Sequence, residues 1–293
     1  MNGKRLLCAC LSAVLALSSG GCVNQHPQQA SIAGSQAPRL VATSPAVADI
    51  CGRLNLDLVG VCETSRGLPE RYQDLTRVGA PMSPDLEILR SLNPDYVLSP
   101  NSLQSDLQPK YSSIGVHSLF LNLKSVEGMY ASIADLGKKL DREAEAQALV
   151  DEFNAFMEEY RNKSQGREAP RVLVLMGLPG SYIVATENSY VGSLVKLAGG
   201  VNVYQSTSEE FLTANTEDMQ QKDPDVILRA AHALPDQVME MFAKEFEEND
   251  IWKHFRAVQE GRVYDLDTAL FNMSANFQYP QALEALQPML YGS

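Results

Sequence analysis

The sequence predicts an α/β fold of two lobes, each built on a parallel sheet, with a helical segment between them. Three observations support this prediction: short apolar stretches alternate with amphipathic ones, the alternation occurs in two sets, and a long helix-forming segment separates the sets. Near-continuous apolar strands that alternate with helices are typical of parallel sheets covered on both faces. We expect an N-terminal lobe over 39–124, a connecting helical segment over 125–165 and a C-terminal lobe over 166–293.

The N-terminal lobe begins with an apolar stretch at residue 39, and strand and helix patterns then follow one another. Predicted strands are RLVATS (39–44), DLVGVC (57–62), DYVLSP (95–100) and VHSLFLNL (116–123), and predicted helices are PAVADICGRL (45–54) and SPDLEILRSL (83–92). The C-terminal lobe continues the alternation with RVLVLMG (171–177), SYVGSLVKLAGG (189–200), DVILRAA (225–231) and RVYDLD (262–267). Two Rossmann-like α/β lobes are therefore expected.

The two lobes share a short internal repeat. PDLEILRSLNPDYVLSP (84–100) and NTEDMQQKDPDVILRA (215–230) superpose on their common Pro-Asp, and each predicts a helix, a turn and then an apolar strand. Glu87 and Glu217 occupy equivalent positions in this alignment. The repeat indicates a duplication, although the matching segment is short.

The segment between the lobes is rich in helix-forming residues. Leu136, Leu140, Leu149, Phe153 and Phe156 recur at helical spacing. If 142–163 forms one helix, its length is about 33 Å at about 1.5 Å per residue. Such a helix acts as a strut between lobes and leaves little freedom for a hinge.

The N-terminus has the pattern of a lipoprotein signal over 1–21. Lys4 and Arg5 form a basic region, an apolar run follows, and small residues lead into Cys22, which we expect to be the lipidated first residue of the mature chain. Ser19 departs from the aliphatic residue usual at that position, so an ordinary secretory signal stays an alternative. The polar stretch 22–38, which includes His26, is expected to be a flexible tether.

Charge and cysteine content narrow the function classes. The formal charge is −12, from 24 basic and 36 acidic residues, and it becomes −14 once Lys4 and Arg5 leave with the signal, so nucleic acid is not an expected partner. Cys8 and Cys10 would also leave. Cys51 and Cys62 then remain in the folded part, and we expect no disulfide between them, with Cys51 a small buried residue on a helix.

Met82 and His232 stand at positions where a side chain is presented to a ligand. Ser83 suits a helix N-cap, and Pro84 suits the first helical residue, so Met82 is expected in the turn just before a helix. The alternative is that Met82 packs on that helix as a hydrophobic staple, although its partner would be the charged Glu87. His232 follows the strand DVILRA, and ligands of open parallel sheets bind outside the carboxyl ends of strands.

Several segments resemble one known family. The cysteine after the signal, the paired Pro-Asp strands, the connecting helix and the closing IWKHFRAVQEGRVYDLD (251–267) resemble the helical-backbone, class III group of ABC transporter substrate-binding proteins. Further segments are similar to its Gram-positive haem-binding branch: VGAPMSPDLEILRSLNPDYVLS (78–99), MGLPGSYIVATENSYVGSLVKLAGGVNVY (176–204) and ILRAAHALPDQVMEMFAKEFEENDIWKHF (227–255).

The resemblance implies a lipid-anchored haem receptor, exposed on the outer face of the cell membrane, that delivers haem b to an importer. It implies that haem lies in the cleft between the lobes, with its iron bound by Met82 of one lobe and His232 of the other. From their positions, at the start of a predicted strand and within a predicted helix, His117 and His254 are expected to be structural. The resemblance also implies that Glu87 and Glu217 dock the two lobes onto arginines of the permease, with a solvated helix face as the alternative. The expected partners are this permease and an upstream haem-donating surface protein, and the chain is expected to be a monomer.

The remaining candidate contacts divide by chemistry. Because haem is largely apolar, we expect Tyr182, Phe271 and Met273 in the wall of the cleft. For the propionates, the loop CETSRGLPERY (62–72) offers Arg66, Arg71 and Tyr72, each with a solvated loop as the alternative. Cys62 ends a predicted strand beside the cleft, so its thiol is a further candidate neighbour of haem.

Other functions fit the sequence less well. A ferric siderophore or a corrinoid is the alternative cargo, but neither gives Met82 a role. A zinc or manganese receptor needs several converging histidines and a carboxylate, whereas the histidines here are dispersed. An enzyme is not expected, because no GxSxG, GxxxxGK or HExxH motif is present. A surface adhesin would bind a protein through an exposed patch and without a closed cleft.

Overall fold

The computed structural model describes residues 37–65, 67–164, 166–205 and 208–292. The chain divides into Met1–Ala37 and a compact unit, Pro38–Ser293, to which the described secondary structure belongs. The predicted signal, Cys22 and nearly all of the predicted tether lie outside the described residues. Among the residues described, no helix combines the length and apolar character needed to cross a membrane.

Lobe one is the α/β layer that contains β1 to β7. Its described residues form a parallel sheet of five strands in the order β3-β2-β1-β6-β7, together with a small antiparallel hairpin of β4 and β5. The strands are β1 Leu40–Ala42, β2 Leu58–Val61, β3 Thr76–Arg77, β4 Gly79–Ala80, β5 Ser83–Pro84, β6 Tyr96–Pro100 and β7 Ser118–Leu121. The helices are α1 Pro45–Arg53, α2 Leu86–Leu92 and α3 Gln104–Ser113, with single 3₁₀ turns at Glu70–Tyr72 and Asn101–Leu103.

Two helices follow lobe one, α4 Val126–Lys139 and α5 Glu143–Ser164. A short turn separates the two helices. Asp141 in this turn has a φ of +55°, in the left-handed region that often ends helices. With 22 residues, α5 is about 33 Å long. The predicted long connecting helix is confirmed, and it begins one residue later than expected.

Lobe two contains the remaining elements. Its described sheet has the order β11-β9-β8-β12-β13, with β10 paired to β8. The strands are β8 Arg171–Leu178, β9 Ser181–Ala185, β10 Val201–Asn202, β11 Phe211–Thr213, β12 Val226–Ala231 and β13 Val263–Asp265. The helices are α6 Tyr190–Leu197, α7 Thr216–Gln221, α8 Pro235–Glu248, α9 Arg256–Gln259 and α10 Tyr279–Tyr291, with a 3₁₀ turn at Asp250–His254.

The sheet of lobe two departs from the expected parallel arrangement. The strands β9 and β11 are antiparallel to their neighbours, whereas β8, β10, β12 and β13 run parallel. A tight turn at Pro179-Gly180 causes the reversal, and Gly180 has a φ of +80°. The chain therefore returns as a hairpin directly after β8 instead of crossing over through a helix.

The internal repeat corresponds to a repeated hydrogen-bond clasp. In lobe one, the backbone N–H of Arg39 donates to Asp95 Oδ2 over 2.7 Å, and in lobe two the backbone N–H of Arg171 donates to Asp225 Oδ2 over 2.7 Å. The guanidinium of Arg39 also donates to the carbonyl oxygen of Leu92, and that of Arg171 to the carbonyl oxygen of Lys222. The Asp of each Pro-Asp pair thus accepts a backbone N–H at the amino edge of its sheet.

The turn before each Pro-Asp pair is repeated as well. Asn93 and Asp223 both adopt the left-handed conformation, with φ of 44° and 41°. Asn and Asp tolerate this conformation better than most residues, because their short polar side chains bond locally. The pattern NPD/DPD therefore encodes the same helix-ending turn in both lobes.

The two lobes and the connecting helices share one hydrophobic core. A single cluster of buried residues includes β1, α4, α5, β8 and α10. Tyr130 of α4, Phe153 of α5 and Tyr279 of α10 contact one another, with ring centroids 4.4 to 6.0 Å apart. The relative position of the lobes is therefore set by side-chain packing.

We predict that Asp225→Asn lowers the free energy of unfolding by about 1 to 2 kcal/mol at neutral pH. Burial raises the pKa of Asp225, but hydrogen bonds from the Arg171 N–H and the Arg256 guanidinium outweigh this effect and hold the pKa below 3.8. Because the pKa is lowered in the folded state, this stabilisation is complete above that value and is lost as the pH falls through the folded pKa. Urea denaturation at pH 7 and pH 3 measures both effects.

The control is Asp95→Asn, which keeps an acceptor for Arg39. We expect a smaller loss of stability there. Asp225 accepts a hydrogen bond from the Arg256 guanidinium over 2.5 Å in addition to the backbone N–H of Arg171, whereas Asp95 accepts the backbone N–H of Arg39. A difference between wild type and Asp225→Asn that is independent of pH contradicts the role given to the Asp225 charge.

Candidate functional site

Met82 lies at the tip of the β4–β5 hairpin. Ala80 pairs with Ser83, and Pro81 and Met82 form the turn between them. Gly79 begins this hairpin with a φ of +88°, and a Cβ there would lie 3.0 Å from the backbone of Ser83 and Asp85. The tight turn leaves the Met82 side chain 67% exposed.

The start of the following helix differs from the prediction. Asp85 is the N-cap of α2, since its Oδ1 accepts the N–H groups of Glu87 and Ile88 over 2.9 and 3.0 Å. Ser83, the predicted cap, instead belongs to β5. Met82 is therefore fixed by hairpin pairing, and the predicted helix-initiating turn is wrong by two residues.

The hairpin is attached to the carboxyl edge of the lobe-one sheet. The N–H of Glu63, which follows β2, donates to the carbonyl oxygen of Gly79 over 2.8 Å, and the N–H of Asp85 donates to Val78 over 2.8 Å. Both β2 and β3 end beside these bonds. Met82 thus lies at the edge where ligands of parallel sheets bind.

His232 lies at the corresponding edge of lobe two. It follows β12 directly, its N–H donates to the carbonyl oxygen of Gly177 over 3.0 Å, and its side chain is exposed. The absence of a side chain at Gly177 lets α8 pack close to β8, because a Cβ there would lie 2.2 Å from Val238 and 2.7 Å from Phe242. The strand end and α8 together hold the loop that carries His232.

Two contacts join the segment after β7 of lobe one to lobe two. The N–H of Ala275, in the segment after β13, donates to the carbonyl oxygen of Leu123, in the segment after β7, over 2.8 Å. Beside it, Lys124 Nζ lies 2.7 Å from Glu210 Oε1 of lobe two. The two lobes are therefore in direct contact, and Met82 and His232 each lie at the carboxyl edge of the sheet in their own lobe.

The predicted wall residues divide into exposed and buried ones. Phe271 is 1% exposed within the shared core, so the expectation that it lines a cleft is wrong for this structure. Met273 is half-buried against the same core. Tyr182 is half-buried in the separate core of lobe two, beside Phe242, and its hydroxyl donates to Glu245 over 3.2 Å.

The hydrogen bond and burial of Tyr182 affect its acidity. Burial and the neighbouring Glu245 carboxylate raise its pKa to about 12, so the phenol stays protonated and can act as a donor at neutral pH. This bond directs the hydroxyl towards α8. The part of Tyr182 left for a ligand is its half-exposed ring.

The expectation that Arg71 and Tyr72 reach the cleft is corrected. The guanidinium of Arg71 donates to Asn55 and Asp57 over 2.8 and 2.7 Å, and both acceptors precede β2. Tyr72 is 1% exposed, and its hydroxyl donates to the carbonyl oxygen of Leu56. Both side chains are therefore held at the amino edge of the sheet, opposite the cleft. Arg66 lies outside the described residues.

Cys62 and Cys51 are free and buried. Cys62 follows β2 at the carboxyl edge, where its N–H donates to Ala42 over 2.9 Å, but its side chain belongs to the core. Burial raises the pKa of Cys62 to about 11 and that of Cys51 to about 12. Both thiols are thus protonated at neutral pH, and neither is presented to a ligand.

The sequence does not indicate a functional role for two residues near these edges, Arg77 and Leu234. Arg77 ends β3, and its Nη2 donates to Gln73 while its buried Nη1 makes no hydrogen bond. Leu234 follows His232 by two residues and is 53% exposed with a φ of 46°. Neither belongs to a sequence motif, and an exposed Leu is visible only in the structure.

The other histidines do not join the site. His117 precedes β7 at the amino edge, is exposed and lies beside Tyr96, with ring centroids 6.3 Å apart. His254 is exposed although its neighbours Trp252 and Phe255 are buried, so the expected packing of its own side chain is not seen. Within the described ranges, no group of three or more His, Cys, Asp or Glu residues is arranged to hold a metal ion.

Glu87 and Glu217 have equivalent surroundings. Each is the second residue of its helix, after an N-cap whose side chain accepts a backbone N–H, Asp85 in α2 and Asn215 in α7. Both glutamates are exposed. The repeat therefore places the same carboxylate at the same helix end in both lobes.

Comparison with known proteins identifies the family. The periplasmic binding protein family matches residues 40–270. The chain belongs to this family. Its members bind substrates outside the cytoplasm, and the chain is accordingly a binding protein and not an enzyme.

Individual members of the family are similar over most of the chain. The high-affinity heme uptake system protein IsdE of Staphylococcus aureus is 40% identical over 254 residues, which cover 86% of this chain and 87% of that protein. A crystal structure of an ABC transporter substrate-binding protein from Listeria monocytogenes is 45% identical with a TM-score of 0.84, covering 88% of this chain and 100% of that one. The structure of S. aureus IsdE complexed with heme is 40% identical with a TM-score of 0.81, covering 87% and 99%.

Proposed function

We propose that this protein is the haem-binding component of an ABC importer, with Met82 and His232 as the two iron ligands. The observation that carries the proposal is the pair of exposed side chains, a thioether and an imidazole, at the carboxyl edges of the sheets of the two lobes. The 40% identical relative is a haem uptake protein whose structure has been solved with haem. The protein works with a membrane permease.

Thioether and imidazole ligands suit the cargo chemically. Both axial positions of the iron are then occupied, so oxygen cannot bind, and the haem travels in an unreactive state. Each lobe contributes one bond, so a small displacement of one lobe weakens the complex. The cross-lobe contacts Ala275–Leu123 and Lys124–Glu210 resist such a displacement until the permease engages.

The haem propionates need cationic or hydrogen-bonding partners at the cleft. Arg66 stays our proposal from the loop after β2. Arg71 and Tyr72 are not proposed, since their side chains are bonded at the other edge.

The alternative cargoes, a ferric siderophore or a corrinoid, are not favoured. An exposed methionine has no role in holding either of them, whereas it is a common axial ligand of haem iron.

We predict that the compact unit Pro38–Ser293 binds haemin in a saturable 1:1 complex with a low-spin Soret spectrum. His232→Ala and Met82→Ala each weaken binding by about tenfold or more, equivalent to about 1.4 kcal/mol, because one axial bond is lost. Met82→Ala also removes the near-infrared band of a methionine-ligated ferric haem. Absorption titration measures both results.

Two controls separate ligation from folding. His254→Ala removes an exposed histidine elsewhere and should leave the spectrum unchanged. Met82→Leu keeps the apolar volume but not the sulfur, so it should lose the methionine band. Wild-type spectra in both Met82→Ala and His232→Ala refute the ligand assignment, and a wild type without saturable haem binding refutes the function.

We propose further that Glu87 and Glu217 dock the two lobes onto the permease. Two equivalent anions on two related lobes complement a receptor with approximate two-fold symmetry. Both carboxylates are exposed at the same position of a capped helix. The chain acts as a monomer in this complex and receives haem from an upstream surface protein.

We predict that Glu87→Ala and Glu217→Ala reduce haem uptake by cells about tenfold, while haem affinity stays that of the wild type. The matched control is Glu127→Ala, since Glu127 is also the exposed second residue of a helix with a capping Ser125. Uptake by cells and titration of purified protein are compared. Equal uptake in all three variants contradicts the docking role.

We propose that Cys22 carries a lipid that anchors the protein to the outer face of the membrane. The apolar region and small residues before Cys22 support this proposal. Cys22→Ser should release the protein into the medium, as immunoblots of cell and medium fractions would show. A variant that stays in the cell fraction indicates another mode of retention.

A further inference from the structure

Leu234 adopts a backbone conformation that its side chain disfavours. Among the described residues other than glycine, those with positive φ are Asn55, Asn93, Asp141, Asp223 and Leu234. Four of the five are Asn or Asp, whose short polar side chains tolerate the left-handed region. Leucine has no such compensation, so this position departs from the rule that the rest of the chain follows.

Three further features make leucine unfavourable here. Leu234 is the N-cap of α8, where Ser, Thr, Asp or Asn would accept a backbone N–H, and its side chain makes no capping bond. Pro235 follows it, and a residue before proline prefers an extended conformation. Its side chain is also 53% exposed to solvent. The folded protein alone thus gains little from leucine at this position.

The surrounding structure holds Leu234 in this conformation. The carbonyl oxygen of Leu234 accepts the N–H of Val238 over 3.0 Å, and the N–H of His232 is bonded to Gly177. Val238 and Phe242 pack where a Gly177 side chain would stand, so α8 cannot shift to relax the loop. Strain that persists in an otherwise well-held segment is typical of functional sites.

Exposure connects Leu234 with the ligand edge. Within the described part of the chain, Met82 and Leu234 are the large apolar side chains that stand exposed. One lies at the carboxyl edge of lobe one, and the other lies two residues after His232 at the carboxyl edge of lobe two. Both exposed apolar groups therefore belong to the two loops that carry the proposed iron ligands.

We propose that Leu234 is a binding residue that packs against the macrocycle of the haem held through His232. This inference rests on the proposed function. A porphyrin has an extended apolar face, and contact with it removes the leucine side chain from water. The binding of cargo then offsets the unfavourable exposure and conformation of Leu234 in the free protein.

The test is Leu234→Asn in the compact unit Pro38–Ser293, which contains the hydrophobic clusters that form the cores of both lobes. Asparagine suits both the left-handed conformation and the N-cap, so the thermal unfolding temperature of the free variant should equal or exceed that of the wild type. Haem loss to excess apomyoglobin should become about tenfold faster, because the apolar contact is lost. The ligation spectrum should be unchanged, since Met82 and His232 are intact.

The control is Leu234→Met, which keeps an apolar side chain of similar volume. Its rate of haem loss should stay within about twofold of the wild type. If Leu234→Asn loses haem at the wild-type rate, the inference is wrong, and a fall in uptake by cells with that rate unchanged assigns Leu234 to the permease contact instead. A lower unfolding temperature of the free variant also refutes it, because Leu234 would then be a packing residue.

The wild type separates this inference from the function on which it rests. If wild-type protein does not bind haem, the proposed function and the role of Leu234 fail together. If it binds haem and Leu234→Asn retains it normally, only the role of Leu234 fails.

Discussion

The shared hydrophobic core between the lobes is the constraint on which the binding site depends. Tyr130, Phe153 and Tyr279 contact one another across α4, α5 and α10, and the Ala275–Leu123 hydrogen bond joins the segment after β13 to the segment after β7. These contacts determine how far apart the two edges lie. A site formed in this way needs little ordering when the ligand arrives, and that keeps the entropic penalty of binding small.

The carboxyl and amino edges of the two sheets differ in how far their side chains are satisfied within the protein. The hairpin of Met82 and the loop of His232 and Leu234 expose apolar or ligating side chains that the free protein does not satisfy. At the amino edges the arrangement is the opposite, because Arg39–Asp95 and Arg171–Asp225 satisfy their polar groups internally. The exposed apolar side chains of Met82 and Leu234 thus lie where the proposed cargo can cover them.

Much of the fold was predictable, because its signals are local. The Pro-Asp repeat encodes a turn and a clasp within a few residues, and the spacing of Phe153 and its neighbours identifies α5. The errors have two causes, and the first is local: the hairpin that pairs Ser83 with Ala80 has no recognisable sequence motif, so Ser83 resembles a helix cap. The second cause is tertiary structure. The residue types of Arg71 and Phe271 suit a cleft, but the path of the chain brings Arg71 to the amino edge of its sheet and Phe271 into the core.

The repeat accounts for the proposed docking residues but not for the proposed ligand residues. Glu87 and Glu217 are 130 residues apart and occupy one structural position, whereas the residues 130 positions from Met82 and His232 are Leu212, in β11, and Ser102, in a 3₁₀ turn. In our proposal, a permease of two-fold symmetry selects for equal anions on both lobes. The proposed iron atom with two different axial bonds makes no such demand, so the loops at the carboxyl edges can differ while the helix ends stay equivalent.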